Sequence, residues 1–416
     1  MTTCSPLLLA LVLAALPAAA QVHVLTVGPQ GAQYADLQSA VDAAQDGDVL
    51  LVRDLPAWAP GPRVVIAGKD LTLVACGPEP VRVQALLIRD VPAGKHVVIQ
   101  GITPLAPTAG GGGLALENCA GAVRVMDAAF LPIDPLAPHS IEVRACADVE
   151  FANVDGLNGA AAPPEPTLSV RSSRLVLSQS RVEGALGLPS TGGQPGASGG
   201  TAIGLRASEL WLHASFVHGG SGGPGANGAC PPLPAPTSGG DGGVGLVAGV
   251  GSIVHDRSAV LEGGAAGKGG AGGACGPAPN GNLGVSIVAP AGVVQTDASG
   301  TCALDAPARA LREGTSFDLT VAAPPGSAVF LLVGEHAELV DAPAIHGPLL
   351  VENTRGRLPI GIANGAGVAL LHVTVPQLPP GVQAARRFVQ ALARTPSGTI
   401  LSSGSRAIVF VDAAFF

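Results

Sequence analysis

The stretch that decides the fold is Leu114-Ala115-Leu116-Glu117-Asn118-Cys119, which returns as Ile141-Glu142-Val143-Arg144-Ala145-Cys146. Both copies follow the pattern apolar-x-apolar-x-x-small. Four further copies lie downstream, and the last two are weaker: Leu168–Ser173, Ile203–Ser208, Val244–Gly249 and Val285–Pro290. Successive copies end 27, 27, 35, 41 and 41 residues apart, counted between their last residues. A short unit therefore repeats while the segment between units lengthens.

Each unit alternates apolar and other side chains, which is typical of a β-strand with one buried face. A second short alternation follows most units, at Val123–Val125, Val149–Phe151, Leu175–Leu177 and Leu210–Leu212. A module of two or three short strands cannot bury its apolar face alone, whereas stacked copies of it can. The repeat therefore predicts a solenoid of parallel coils.

A predicted amphipathic helix precedes the repeat. Within the segment 34–44, apolar residues stand at i, i+3, i+4 and i+7, namely Leu37, Ala40, Val41 and Ala44. Gly47 is expected to end the helix, and Asp48 leads into the apolar strand Val49–Val52. The helix is therefore expected at the entrance of the solenoid.

This entrance resembles a known family. The stretch from Thr26 to Val52, with Tyr34-Ala-Asp-Leu37-Gln38-Ser-Ala40-Val41-Asp42 and Gly47-Asp48-Val-Leu-Leu-Val52, is similar to the N-terminal cap of pectate-lyase-like right-handed β-helix proteins. Val64–Leu73 and Lys95–Ile102 are similar to the first coils of that family. The resemblance covers roughly residues 22 to 300. It implies a right-handed parallel β-helix whose open end is plugged by the helix.

After about Ala306 the repeat stops, and longer apolar stretches alternate with Pro-Gly and Ser-Gly turns. The stretches are Leu319–Val321, Ala328–Val333, Val368–Val375, Arg387–Leu392 and Ala407–Val411. This spacing favours a small antiparallel β-sandwich. Part of the segment, including Phe388-Val-Gln390 and Ala407-Ile-Val409, resembles C-terminal β-modules of secreted bacterial proteins, a resemblance that implies no particular chemistry.

These patterns divide the chain into three parts. Residues 1–20 are expected to be a secretory signal peptide, because the apolar run Leu7–Leu16 is followed by Pro17 and by small residues up to Ala20. Retention of that segment as an anchor is the alternative. Residues 21–305 are predicted to form the β-helix, and residues 306–416 a sandwich-like domain. We therefore expect an all-β protein that is secreted or at the cell surface, with no transmembrane segment in the mature chain.

The lengthening segments are rich in glycine and leave the solenoid from one corner, at residues 184–200, 219–243 and 263–284. Closing a longer loop costs only about 0.6 kcal/mol per doubling of its length, so they are expected to be bulges that tolerate insertion. Cys230 and Cys275 occupy matching places in the second and third, which predicts a disulfide between neighbouring coils. Cys119 and Cys146 share a repeat position and are expected either to pair in the same way or to lie as stacked buried thiols.

The composition excludes several classes of function. A net charge of -8 with 12% charged residues excludes the basic footprint of a nucleic-acid-binding protein. The 47% of hydrophobic residues can fill a core, which argues against disorder. Aromatic residues make up 3% of the chain, whereas polysaccharide-cleaving clefts usually pair carboxylates with aromatic platforms. The sequence therefore argues against a depolymerase and shows no catalytic constellation.

Acidic residues recur in the triplets that close each coil. Asp155, Glu183 and Glu262 stand at the same position of their triplets, with His218 in the copy between. Stacking would bring these side chains into one column. Carboxylates so near one another favour a bound cation such as Ca²⁺. The alternative is that they point outward at a turn, where polar residues belong. No cofactor other than this calcium ion is expected.

Basic residues form a second predicted column. Arg144, Arg171 and Arg206 stand at one position of three consecutive units. Their stacked guanidinium groups could bind an acidic polysaccharide. The alternative is that they point outward, lay their stems along the stack and share nearby acids. His213 and His255, like His218, lack metal-ligand spacing and are expected to be surface histidines.

The function expected from these features is that of an exported, non-catalytic scaffold for surface display or adhesion, with a cell-surface polysaccharide or an envelope protein as partner. The first alternative is a polysaccharide lyase or glycoside hydrolase that acts on an acidic glycan along the arginine column. The second is an adhesin that binds glycans without turnover. The catalytic arginine pattern of the pectate lyases is not recognisable, so no catalytic residue is carried over.

Overall fold

A computed structural model describes residues 22–53, 63–77, 81–105, 113–130, 141–156, 166–191, 193–228, 235–297, 300–337, 339–340, 342, 345–351 and 357–416. The predicted signal peptide and Cys230 lie outside these residues, so both the signal peptide and the Cys230–Cys275 disulfide stay predictions.

The described residues form one short α-helix and many strands. The helix is α1 (Leu37–Ala43). The strands up to residue 297 are β1 (Val24–Val27), β2 (Val49–Val52), β3 (Val64–Ala67), β4 (Leu71–Ala75), β5 (Val81–Val83), β6 (Leu86–Arg89), β7 (His96–Gln100), β8 (Ile102–Pro104), β9 (Leu114–Glu117), β10 (Ala122–Met126), β11 (Ile141–Arg144), β12 (Asp148–Ala152), β13 (Asp155–Gly156), β14 (Leu168–Arg171), β15 (Arg174–Ser178), β16 (Arg181–Glu183), β17 (Ile203–Arg206), β18 (Glu209–His213), β19 (Phe216–His218), β20 (Leu246–Ala248), β21 (Ile253–Arg257), β22 (Val260–Glu262), β23 (Ile287–Val288) and β24 (Val294–Asp297). The later strands are β25 (Ala303–Asp305), β26 (Leu311–Arg312), β27 (Ser316–Ala322), β28 (Ala328–Gly334), β29 (Arg357–Ile362), β30 (Val368–Thr374), β31 (Ala384–Arg394) and β32 (Ile400–Val411).

Three long sheets run through the first part of the chain, and every recorded strand pair in them is parallel. Sheet 1 has the order β1-β2-β4-β7-β10-β12-β15-β18-β21-β24, sheet 2 the order β3-β6-β9-β11-β14-β17-β20-β23, and sheet 3 the order β13-β16-β19-β22. Strands that lie one coil apart in sequence are therefore neighbours in space. Their inward side chains fill one continuous apolar core. This all-β arrangement fits a parallel β-helix solenoid.

The repeat unit keeps its register from coil to coil. Leu114 pairs with Ile141 and Ile141 with Leu168, and Leu168 pairs in turn with Ile203. The residue before the small end of each unit has left-handed backbone, at Asn118, Ala145, Ser172 and Ala207 (φ between 49° and 54°). That conformation turns the chain from sheet 2 into sheet 1 and points the next, small residue inward.

The helix α1 lies against β1 and β3, the first strands of sheets 1 and 2. Its buried residues Leu37, Ala40 and Val41 belong to the solenoid core. The Asp36 side chain accepts a hydrogen bond from the Ser39 N–H and caps the helix N-terminus. The apolar spacing in this segment thus corresponds to a helix packed on the first coil.

The glycine-rich segments leave after β16, β19 and β22, which is one corner of the solenoid. We call them hairpin A (184–202), hairpin B (219–245) and hairpin C (263–286), each with an outgoing and a returning arm. Outgoing arms bond to outgoing arms: the Gly187 N–H donates to the Ser221 carbonyl, and the Gly222 N–H to the Ala265 carbonyl, both at 2.8 Å. The three hairpins are therefore stacked in register.

The two arms of each hairpin also bond across to form a second layer. In hairpin B the Gly240 N–H donates to the Gly223 carbonyl at 2.9 Å, and in hairpin C the Gly281 N–H donates to the Gly267 carbonyl at 3.0 Å. Donors recur every third residue, and the bonds join separate arms, as in arrays of polyproline-II-like chains. A Cβ on Gly220 would lie 1.8 Å from the Ala185 carbonyl oxygen. The predicted bulges are thus packed against one another, because glycine at these positions lets the arms approach backbone to backbone.

The last part of the chain forms two sheets that share an apolar core. Sheet 4 is antiparallel, with the order β25-β27-β30, and sheet 5 has the order β26-β32-β31-β28-β29. Sheet 5 is mixed, because β26 pairs with β32 in parallel. The expectation of a purely antiparallel module is therefore wrong at this pair.

Sheet 5 covers the outer face of sheet 1. The contact has two apolar clusters, with Val24, Val49, Leu51, Val74, Ala310, Ala384, Val409 and Val411 in one, and Val98, Met126, Ala152, Leu332, Ala337, Val351, Phe388, Leu392 and Ala407 in the other. Since the first strands of sheet 1 are buried on both faces, they consist of unbroken apolar runs such as Val49–Val52. Within the described residues, no helix has the length and apolar character needed to cross a membrane.

Candidate arginine groove

The candidate site lies at the corner where the chain passes from sheet 2 to sheet 1. Arg144 pairs with Arg171, and Arg171 pairs with Arg206, so the three arginines form one column at the end of sheet 2. All three are exposed. Glu117 continues the column below Arg144, and its carboxylate lies 2.9 Å from the Arg144 guanidinium. The structure therefore brings together the arginines that the sequence placed at one repeat position.

An inward column of small side chains holds this corner in place. Ser173 and Ser208 are buried next to the left-handed turns. The Ser173 hydroxyl donates to the Arg171 carbonyl at 2.7 Å and accepts from the Cys146 N–H at 2.9 Å. Likewise, the Ser208 hydroxyl donates to the Arg206 carbonyl at 2.8 Å. Each serine thus ties its own arginine to the coil before it, which explains why the repeat unit ends in a small residue.

Cys119 and Cys146 occupy the same inward column in the earlier coils. Both are buried and both are free thiols. The Cys146 Sγ donates to the Arg144 carbonyl at 3.3 Å, and the Cys119 Sγ to the Glu117 carbonyl at 3.4 Å. The two cysteines therefore replace the serine hydroxyls as stacked buried thiols, the second of the two arrangements expected for them.

An open groove of about 350 Å³ follows the arginine column. Its lining includes Ser172 and Ala207, which directly follow Arg171 and Arg206. The lining also includes Arg174 and Glu209, the first residues of β15 and β18. The groove therefore crosses several coils beside the arginine column, whose three arginines do not line it.

Glu209 is the most strongly bound carboxylate at this groove. It lies 3.0 Å from the Arg174 Nε and 3.2 Å from the His255 Nε2, and it accepts a hydrogen bond from the Trp211 indole N–H at 2.8 Å. The hydrogen bond with His255, together with the Trp211 N–H and the charge of Arg174, lowers the pKa of Glu209 to about 2. A carboxylate with that pKa stays ionised and is a poor general acid or base near neutral pH.

Trp211 does not offer an open aromatic platform. Its ring stacks on His255 with centroids 3.9 Å apart, and the ring also packs against Leu339 and Leu350 of the last part of the chain. The Arg257 guanidinium lies 5.8 Å from its centroid. Sequence reasoning did not group these residues, although Trp211 and His255 stand at equivalent outward positions of neighbouring strands.

The acidic column is only partly present. Glu183 pairs with His218 and His218 with Glu262, whereas Asp155 pairs with Arg181. The expectation that Asp155 joins this column is therefore wrong. The reason lies in the turn before each triplet, which has its left-handed residue at Asn153, Gln179 or Ala214. Asp155 is the second residue after its turn, whereas Glu183 and His218 are the fourth residues after theirs.

The acids near this corner have other neighbours. Arg181 Nε donates to the Glu183 carboxylate at 2.7 Å, and burial raises the pKa of Asp155. Among the residues that the structure describes, no three His, Cys, Asp or Glu side chains group as a metal site. A calcium ion between Glu183 and Glu262 stays a prediction.

One expected surface histidine is buried. His213 is 1% exposed, and its Nε2 lies 2.7 Å from the Cys302 carbonyl oxygen, to which it donates. Burial lowers the pKa of His213, so the ring is neutral at physiological pH. The expectation failed because the start of the last part of the chain covers this position of sheet 1.

A scan of known family models found no match, and a search of the curated proteins also found none.

Proposed function

We propose that the chain is an exported, non-catalytic scaffold: a right-handed parallel β-helix, closed at its N-terminal end by α1, that presents hairpins A to C for surface display or adhesion. A cell-surface polysaccharide or an envelope protein is the partner in this proposal. The observation that carries it is the hydrogen-bonded, two-layer array of the hairpins. Loops bonded to one another every third residue make a stiff projection, as display requires.

The attachment of the last sheets supports a structural role. Sheet 5 lies along the outer face of sheet 1 over most of its coils, through two apolar clusters and a buried set of charges. The exposed surface of the solenoid then consists mainly of sheet 2, the corner groove and the hairpin array. Such a body presents its surfaces in a fixed geometry, which suits a scaffold better than a catalyst with moving parts.

The pKa shifts and the positions of the carboxylates support a non-catalytic role. Cleavage of a glycan by two acids requires one with a raised pKa and a second beside it in the cleft. At the groove, Glu209 instead has its pKa lowered to about 2 by three partners. Glu150, whose pKa is raised by burial, is fully buried beneath sheet 5 and does not reach the groove.

The non-catalytic claim is tested by incubating the purified mature protein with polygalacturonate, alginate and hyaluronan, with and without Ca²⁺. Unsaturated uronic-acid ends and reducing ends are measured over time. The proposal predicts that neither product accumulates. Steady release of either one overturns it and favours a lyase or a glycoside hydrolase.

The display claim is tested by limited proteolysis with proteinase K. Ordinary exposed loops are cut first, while stiff, hydrogen-bonded segments resist. The proposal predicts that the arms 184–191, 219–228 and 263–272 stay intact until the whole protein unfolds. Early cleavage within these arms contradicts the display role.

A second candidate function is an adhesin that binds acidic glycans without turnover. It is favoured by the arginine column, because Arg171 and Arg206 are exposed and have no recorded carboxylate partner in the described part of the chain. Arginine is well suited to carboxylate ligands through its paired N–H donors. Uronic-acid chains carry such carboxylates at regular intervals.

Binding to immobilised polygalacturonate distinguishes this candidate. The double variant Arg171→Ala/Arg206→Ala should weaken binding about tenfold or more, since charge-assisted hydrogen bonds contribute about 1.5 kcal/mol or more each. The matched control is Arg312→Ala/Arg394→Ala, which removes two exposed arginines from the last sheets. Equal losses in both variants would indicate a nonspecific charge effect and exclude the groove.

A further inference from the structure

The last coil of the solenoid, residues 260–297, ends all three sheets at once. β24, β23 and β22 are the terminal strands of sheets 1, 2 and 3. Hairpin C likewise is the last layer of the hairpin array. Each of these segments bonds to the coil before it and faces away from the stack on its other side. Such an edge exposes unpaired backbone donors and acceptors that another chain can use.

Apolar exposure is concentrated at this end. Among the described residues, four of the eleven exposed large hydrophobic side chains belong to the last coil: Leu283 (77%), Val285 (50%), Val260 (48%) and Val288 (47%). Two more, Val250 and Ile253, lie in the coil before it. At the opposite end, by contrast, α1 buries Leu37 and Val41 against the first coil. Clusters of exposed apolar residues of this kind mark interaction sites.

We propose that a second copy of this chain covers this end, related by a two-fold axis, so that two solenoids meet tail to tail. A two-fold axis pairs an edge strand with an antiparallel copy of an edge strand, and antiparallel pairing satisfies the exposed backbone groups. Head-to-tail stacking is blocked because α1 occupies the first coil. The contact therefore closes at two chains instead of growing into a filament.

The exposed charges at the last coil permit the approach of a second copy. The chain as a whole carries a net charge of -8, which would keep two copies apart. At the last coil, however, the exposed charged side chains that the structure describes are one acid, Glu262, and one base, Lys268. The end is thus close to neutral, and a second copy meets no concentration of like charge there.

The area is also sufficient. The edge of residues 260–297 measures on the order of 600 Å², taking about 3.2 Å per extended residue and about 5 Å for the width of a chain. Specific protein interfaces bury roughly 1,200–2,000 Å² in total over both partners. Two solenoid ends together reach the lower end of that range.

The test is the molar mass of the mature protein in solution, measured by light scattering after size exclusion over a wide concentration range. The proposal predicts the mass of two chains. The variant Val285→Asp/Val288→Lys should lower the mass to that of one chain, because it buries charges at the contact. The control Ile362→Asp/Leu370→Lys alters two exposed apolar residues of the last sheets and should leave the dimer intact.

Circular dichroism and a thermal melt show whether each variant is folded. If Val285→Asp/Val288→Lys unfolds, the exposed pair Val260→Glu/Leu283→Lys at the same end replaces it. A wild-type protein with the mass of one chain at every concentration overturns the proposal. Assemblies that grow beyond two chains overturn the tail-to-tail arrangement, and a dimer that survives both end variants places the contact elsewhere.

Discussion

Glu150 of the solenoid accepts a hydrogen bond from the backbone N–H of Ser405 in sheet 5, at 2.8 Å. The Ser405 hydroxyl also donates to this carboxylate. Glu150 is fully buried and lies 3.6 Å from the Nε of the equally buried Arg124 in the neighbouring coil. The attachment of the last sheets to the solenoid thus includes a buried ion pair in the coils that carry Met126 and Ala152 of the second apolar cluster.

Replacing Glu150 should therefore destabilise the protein strongly. The variant Glu150→Ala removes the acceptor of the buried Ser405 N–H and hydroxyl, and a buried donor left unsatisfied costs about 1–3 kcal/mol. Arg124 keeps its 2.8 Å ion pair with Asp148. Glu150→Gln should cost less, because an amide oxygen still accepts from Ser405. Urea unfolding measures both, with Glu262→Ala as the exposed control. Similar stabilities for Glu150→Ala and Glu262→Ala would contradict this interface.

The Glu209 pKa predicts a pH dependence with a definite sign. Because the folded protein lowers this pKa from 4.5 to about 2, the stabilisation by Glu209 is present above pH 4.5 and is lost as the pH falls towards 2. It amounts to about 2 kcal/mol at neutral pH, from about 1.4 kcal/mol per pKa unit with a discount for partial exposure.

The measurement is the free energy of unfolding of wild type and Glu209→Gln as a function of pH. We expect Glu209→Gln to be less stable at pH 7 and the two proteins to converge near pH 2. A difference that stays constant with pH would show that the carboxylate charge contributes nothing. The exposed Glu262→Gln serves as the control for general charge effects.

The glycine array predicts sharp sensitivity to single methyl groups. Gly220→Ala would place its Cβ against the Ala185 carbonyl, so the arms must separate, at about 1–3 kcal/mol for such overpacking. Hydrogen exchange should show protected amides at every third residue of the wild-type arms and a loss of protection in the variant. Gly365→Ala, where no atom lies within 4 Å of the added Cβ, is the control. Rapid exchange throughout the wild-type arms would contradict the array.

The cysteines give a covalent test of the stacking. We expect peptide mapping without reduction to link Cys230 to Cys275, and Cys119, Cys146 and Cys302 to react with alkylating reagents only after unfolding. Reduction of the Cys230–Cys275 bond should lower stability by about 2–4 kcal/mol, as for disulfides that close long loops. A bond between Cys119 and Cys146 would contradict the arrangement of free buried thiols.

The register between coils could be predicted from the sequence because the same residue pattern recurs in each unit. An apolar pair followed by a small residue fixes both the strand face and the turn, so Arg144, Arg171 and Arg206 align whatever the length of the hairpins. Asp155 was misplaced because its triplet follows the same apolar-acid-glycine pattern as Val182-Glu183-Gly184 but begins two residues earlier after the turn. A three-residue pattern cannot reveal that offset.

The cover over sheet 1 was harder to predict. Outward positions of its first strands are apolar, as at Val49 and Val74, and this signal was present in the sequence. Arg124 and Glu150 then stand at outward positions in the next coils, where charge normally indicates solvent. Because these two charges pair with each other under sheet 5, the sequence does not reveal that the position is covered. The period of three in the glycine-rich arms was also hard to recognise, because alanines, prolines and serines stand among the glycines.

The most direct test of the stacked architecture is a distance along one outward column of sheet 2. Ala67 and Arg206 lie in that column five coils apart. Spin labels at Ala67→Cys and Arg206→Cys, with the half-buried Cys76 changed to Ser, should give a narrow distribution near 24 Å, five steps of about 4.8 Å. A broad distribution, or a separation far longer than this, would contradict the stacking of the repeat units.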